Sequence, residues 1–301
     1  MNVFSRDPDA NRDANARSSS DGHNHHLGPR PQEPGAPVGG GAPAPPIRYL
    51  APLSDDLLRL CLRGLALPPS PRVLDLCCGL GPASAMLVTE FGASYTGLDL
   101  DEGLLRVARQ QALEAGLQER VEFRRGDARH IELPNGTFDL VLALGGCLTY
   151  MGRPEGLERI RQLLAPRGSI LISDLITLDS PVPGEIDAAL EALAPNSPPR
   201  GLALEPAVRD VYEEGLYRFE NESSYRSLFS LFGYDLRFDF LVPESAWNAY
   251  YRHAARVLTD PTAEPRVPVA VDELAAFYSW GGRWGLGYLV AGASLAATSE
   301  A

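Results

Sequence analysis

The sequence predicts an α/β fold: a doubly wound, mostly parallel sheet of seven strands, with helical insertions after strands 5 and 6. Three observations carry this. Short runs rich in branched apolar residues alternate with amphipathic stretches at βα spacing. The first run, Arg72 to Leu76, leads straight into the small-residue turn Cys77-Cys78-Gly79-Leu80-Gly81, where a backbone can turn sharply and let a ligand come close. Pro82 then suits the first position of a helix, where its missing N–H is no loss. Strand, glycine turn and helix start together describe a nucleotide cradle.

The elements follow in order. Residues 54–66 carry a capping serine, early acids and apolar residues at helical spacing, and predict an amphipathic helix ahead of the first strand. Helix 82–91 leads to a second strand, Ser94 to Asp99. Helix 101–115 follows, with Asp101 and Glu102 placed where the helix dipole favours acids. Val121 to Arg124 gives a third strand and Phe138 to Leu144 a fourth. Helix 154–165 passes through Pro166-Arg167-Gly168 into a fifth strand, Ser169 to Leu175. The rhythm then breaks into a Pro- and acid-rich stretch, 177–201, with short helices near 184–193 and 205–214. Helix 222–231 and strand 235–241 restore it, helices 244–258 and 271–279 follow, and Gly285 to Ala291 is the last strand.

Residues 1–46 are Pro, Gly, Ser, Asn and Asp with few large apolar side chains, and are expected to be a disordered tail, because they cannot bury enough surface to offset their ordering entropy. Residues 47–301 are expected to form one domain with lid insertions near 177–230 and 244–284. The His23-Asn24-His25-His26 cluster lies in the tail and reads as incidental.

Composition narrows the function. A formal charge of −12 over 301 residues argues against a nucleic-acid or anionic-membrane partner. The four cysteines form no zinc-ligand array, and no carboxylate cluster demands a metal, so none is expected. Adjacent Cys77 and Cys78 read as buried small side chains suited to a reducing compartment. No apolar run is long enough to span a bilayer and the N-terminus lacks a secretory pattern. A cytoplasmic, soluble protein is the expectation.

Three acids fall where a nucleoside cradle needs them. Asp75 ends the first strand beside the glycine turn, Asp99 ends the second, and Asp127 follows the third in Arg125-Gly126-Asp127-Ala128. Carboxylates at successive strand ends accept hydrogen bonds from ribose hydroxyls or an exocyclic amine. For Asp127 a plain turn residue is the alternative.

VLDLCCGLGPAS, YTGLDLDEGLL, RRGDARHIELP and FDLVLALGGCLTYM, in that order, resemble the class I S-adenosylmethionine-dependent methyltransferases, with their Rossmann-like fold. The likeness covers about residues 55–176. It implies S-adenosyl-L-methionine as cofactor, with the glycine turn (Cys77, Gly79, Gly81) and Asp75 holding its methionine portion. It implies Asp99 on the ribose, Leu100 against the adenine, and Asp127 with the Ala128 backbone at the adenine amine. Leu144 and Gly145 would line the methionine amine and the reacting methyl. A Tyr just before the first helix, here Tyr49, would meet the cofactor's carboxylate; simple packing is its alternative. The family usually has glycine where Cys77 stands, and a compact thiol should still permit binding. A nicotinamide cofactor is the competing use of the cradle, but its usual third glycine falls at Ser84.

An amine acceptor needs only to arrive unprotonated, whereas a hydroxyl acceptor needs a general base. Candidates are Tyr150, in a segment after the fourth strand read as a loop; His253, beside the apolar stripe of helix 244–258; and Asp174, near the end of the fifth strand, whose alternative is a loop cap. His130 reads as solvated. Aromatics cluster in the insertions (Tyr225, Trp247, Tyr250, Tyr251, Trp280 and Trp284 among them). They suit an apolar acceptor pocket, a core beneath a lid, or the face of a homodimer. The expected function is methyl transfer to nitrogen or oxygen of a small molecule. The alternatives are a non-catalytic cofactor-binding or regulatory protein, and a methyltransferase acting on a macromolecule.

Overall fold

The computed structural model describes residue 49, residues 51–177, 220–243, 245–246, 249–251 and 286–297. The chain divides into two units, Met1–Pro43 and Ala44–Ala301, and every described residue falls in the second. The expected tail, the helices near 184–193, 205–214 and 271–279, and His253 and Trp247 lie outside the described residues.

The described elements run α1 (Asp55–Gly64), β1 (Arg72–Leu76), α2 (Ala83–Phe91), β2 (Ser94–Asp99), α3 (Glu102–Glu114), β3 (Val121–Arg125), β4 (Phe138–Ala143), α4 (Cys147–Met151) and α5 (Arg153–Leu163). They continue with β5 (Leu164–Thr177), β6 (Glu220–Asn221), α6 (Glu222–Leu231), β7 (Tyr234–Leu241) and β8 (Leu286–Leu295). The helices start for local reasons. Ser54, Asp101 and Asn221 each accept backbone N–H bonds from the first turn of α1, α3 and α6.

The strands are ordered β3-β2-β1-β4-β5-β8-β7, with the two-residue β6 paired to the end of β5. β1 pairs in parallel with both β2 and β4, so the strand order reverses direction at β1. A crevice opens there beyond the strands' carboxyl ends, where ligands bind in such sheets. β8 runs antiparallel between β5 and β7. Seven strands form the main path, mostly parallel.

The sheet is covered on both faces, as the alternation along β1 shows. Val73 joins one buried cluster with Tyr95, Phe123, Leu140 and Leu171, packed against α1, α2 and α3. Leu74 and Leu76 join the other with Val141, Ile170 and Ile172, packed against α4, α5 and α6. Strands buried on both sides are mostly apolar, which is why β1 and β4 read as near-continuous runs.

Two strands extend beyond their expected ends. β5 starts at Leu164 because an irregularity in its pairing with β4 absorbs residues 165–168, and Arg167 there takes φ 64°. β8 continues past the expected end at Ala291, through Gly292 to Leu295. A side chain at Gly292 would meet the Phe238 ring at 2.4 Å, so glycine is what lets β7 and β8 close up. Tyr150 is not in a loop: it lies on α4, a single turn too short for a periodicity to reveal.

Candidate functional site

The carboxyl ends of β1, β2 and β4 enclose a cavity of about 250 Å³ lined by Asp75, Cys77, Cys78, Gly79, Leu80, Pro82, Asp99, Leu144 and Gly145. Leu104 of α3 and the segment Tyr49, Ala51 and Leu53 complete the wall.

The turn after β1 is held from β2. Cys78 N donates to Leu98 O at 3.0 Å, and Gly79 N donates to Asp99 Oδ2 at 2.8 Å. The other Asp99 oxygen accepts from Asp101 N at 2.9 Å, which fixes the carboxylate at the cavity edge. Cys77, Gly79 and Gly81 all have positive φ, of 54°, 54° and 63°. Cys77 therefore takes a conformation that costs an L-residue about 1–2 kcal/mol, at the position where glycine was the expected residue.

Gly81 serves packing more than approach. A Cβ on it would meet the Phe123 ring at 2.4 Å. Gly97, inside β2, plays the same part: a Cβ there would meet Cys78 Sγ at 2.8 Å and Phe123 at 2.7 Å. A glycine inside a strand, as here in β2, is the sequence signal of such an approach.

Asp75 is buried, 4% exposed. Tyr95 Oη donates to its Oδ2 at 2.6 Å. Burial, with the nearby Asp99 carboxylate adding to it, pushes the Asp75 carboxyl up to about 7, and the Tyr95 bond offsets part of that rise. In sequence Tyr95 reads as an ordinary strand aromatic.

Asp127 and Tyr150 come together outside the cavity lining. Asp127 forms an ion pair with Arg129 at 2.7 Å, and Tyr150 Oη donates to Asp127 Oδ1 at 3.1 Å. The Arg129 guanidinium sits 4.7 Å from the Tyr150 ring centre and holds the Asp127 carboxyl well below the usual carboxylate range. Ala128 is buried beside it, and Leu100 is half-exposed. Tyr49 is buried on the cavity wall, where its hydroxyl donates to Asp55 Oδ1 at 2.7 Å. His130 is exposed.

Asp174 lies within β5, not at a loop, and is fully buried. Arg153 Nη2 approaches it at 3.0 Å, with the two side chains 5% and 1% exposed. Thr149 Oγ1 donates to it at 2.8 Å and the Tyr225 hydroxyl donates to it as well. This network ties α4, α5 and α6 to β5, and Asp174 is not among the cavity-lining residues. Tyr225, Tyr250 and Tyr251 are buried, the last two in edge contact at 5.0 Å, so these aromatics are core.

Among the described residues, no group of three or more His, Cys, Asp or Glu is placed to hold a metal ion, and no helix is long and apolar enough to cross a membrane.

Residues 73–168 match the family described as a methyltransferase domain. Methyltransferase GfsG of Streptomyces halstedii is 32% identical over 111 residues, 36% of this chain and 40% of that protein. Erythromycin 3''-O-methyltransferase of Saccharopolyspora erythraea is 34% identical over 113 residues, 37% of each. The chain thus spans well under two thirds of the relatives it matches. In structure it resembles the [4+2]-cyclase SpnF, with TM-score 0.61 at 18% identity over 81% of both chains, a likeness of fold.

Proposed function

From a chain whose residues 73–168 belong to the class I S-adenosylmethionine-dependent methyltransferases, we propose that the whole protein transfers a methyl group to nitrogen or oxygen of a small molecule. The observation that carries this reading is the cavity at the β1/β4 reversal, where the glycine turn, Asp75, Asp99 and Gly145 converge. A ribose diol suits Asp99, whose carboxylate is already fixed at the edge by two backbone amides. The methionine portion suits the Cys77–Gly81 turn with Asp75, and Asp127 with Ala128 suits the adenine end. Leu144 and Gly145 wall the space on the β4 side, where the reacting methyl would sit.

Methyl transfer from a sulfonium is an in-line displacement, so the protein mostly aligns acceptor and methyl. We assign acceptor contact to His253, keep Tyr150 with Asp127 at the adenine end, and give Asp174 the holding of α4, which carries Tyr150. The relative named as an erythromycin 3''-O-methyltransferase supports a small acceptor. The net charge of −12 points the same way, away from polyanions.

The test has two stages. Calorimetry should show S-adenosylmethionine and S-adenosylhomocysteine binding, and incubation with a panel of phenols, sugars and amines should yield S-adenosylhomocysteine by mass spectrometry. Absence of binding would end the proposal. The second reading is a non-catalytic protein, in which the cofactor binds without giving up its methyl. Binding with no S-adenosylhomocysteine formed from any acceptor would select it.

A further inference from the structure

The turn that walls the cavity on the β4 side has no regular partner of its own: Gly145 and Gly146 both take positive φ, 67° and 82°, between the end of β4 and the start of α4. Both of its amides are taken by one residue of the neighbouring strand. Gly145 N donates to Ser173 Oγ at 2.9 Å, and Gly146 N donates to Ser173 O at 3.0 Å. Ser173 is fully buried, and its hydroxyl in turn lies 3.3 Å from Tyr288 Oη on β8. The next residue, Asp174, faces the other way and accepts from Thr149 on α4. Two consecutive residues of β5 therefore grip the turn and the helix that follow β4.

We propose that Ser173, braced by Tyr288, is a positioning residue: it sets the Leu144–Gly146 turn against the cofactor without touching the cofactor itself. This rests on the cavity being the S-adenosylmethionine site. A buried amide left without its acceptor would draw the turn away to find another, and misplacement on the ångström scale is enough to weaken a preorganised site. A fixed turn presents the Gly145 backbone to the ligand at no reorganisation cost.

The same strand offers a matched control. Ser169, also buried, pairs its hydroxyl with Ser294 Oγ at 3.0 Å, and is not among the cavity-lining residues. Ser173→Ala removes two bonds of a buried β5 hydroxyl and Ser169→Ala removes one, so the readout is cofactor affinity, which a role in stability alone would leave unchanged in both folded variants.

Affinity for S-adenosylhomocysteine, measured by calorimetry on the full chain, separates them. Ser173→Ala is expected to weaken binding about tenfold and Ser169→Ala by less than about twofold. Amide exchange of Gly145, followed by NMR, should quicken in Ser173→Ala only. Should that variant fail to fold, the near-isosteric Ser173→Cys, a weak acceptor, carries the same expectation. Equal affinities for the two serine variants with wild-type binding intact would overturn the proposal and leave the proposed function standing. Loss of binding by the wild type itself would overturn both.

Discussion

The buried carboxyl of Asp75 makes folding stability depend on pH in a specific direction. Asp75 is 4% exposed on β1, lines the cavity together with Asp99, and accepts from Tyr95 Oη at 2.6 Å. Burial raises it from an ordinary 3.8 to about 7. Between those two pH values the folded protein holds a proton at Asp75 that the unfolded chain has released. The unfolded state binds fewer protons there, so stability falls as pH rises through this window and levels off above about 7. Each pH unit is about 1.4 kcal/mol, so the three-unit window is worth roughly 4 kcal/mol. Asp75→Asn keeps an oxygen for the Tyr95 hydroxyl but cannot titrate. Urea unfolding of both proteins from pH 4.5 to 8 gives the comparison, since every other group titrates in both. Wild-type stability minus variant stability should fall by several kcal/mol across the series. Parallel curves would refute the assignment of a neutral Asp75 to the folded state at low pH. A cation bound in the cavity favours the carboxylate, so S-adenosylmethionine binding should release a proton at pH 6 and none at pH 8.5. Calorimetry in buffers of different ionisation heat checks this.

Other outcomes follow from the same geometry. Gly81→Ala should lose about 2–5 kcal/mol on chemical denaturation, from strain at φ 63° and a Cβ 2.4 Å from Phe123; Phe123→Leu in the same chain should recover part of it. Arg153→Met leaves the Asp174 charge buried without its cation and should cost about 3–5 kcal/mol. Adding Asp174→Leu and Tyr225→Phe should restore much of that loss, again by denaturation. Cys77→Gly removes a left-handed L-residue and should hold S-adenosylhomocysteine affinity within about threefold by calorimetry.

Much of the fold was legible because its strands are buried on both faces. The runs at 72–76, 94–99 and 138–143 could hardly be anything else once glycine turns and amphipathic helices flanked them. Legibility failed where tertiary packing overrides local pattern. The last strand was expected to end at Ala291, yet β8 runs on through Gly292, where the Phe238 ring fills the space a side chain would need. Helix α4 is five residues long, too short to show a period, so Tyr150 read as a loop residue. At the cavity, Asp75 and Asp99 were legible as acids at strand ends beside a glycine turn, whereas Leu144 and Gly145 are marked only by the family resemblance; all four line the cavity. The residues that hold them did not stand out. Tyr95 and Ser173 are ordinary strand residues until the pairing of β1 with β2, and of β4 with β5, brings them to their partners. Asp174 looked like an acid at a ligand-binding edge, and only the approach of Arg153 and Tyr225 from two helices gives it a holding role.

The central claim is that the cavity between the glycine turn and Asp99 receives S-adenosylmethionine. Isothermal titration of the full chain with S-adenosylhomocysteine, beside Asp99→Ala, tests it most directly. The variant loses both the ribose acceptor and the carboxylate that fixes the Gly79 amide. Saturable one-to-one binding by the wild type, weakened at least about tenfold in Asp99→Ala, is the predicted result. Wild-type binding that Asp99→Ala leaves unchanged, or no binding at all, would contradict it.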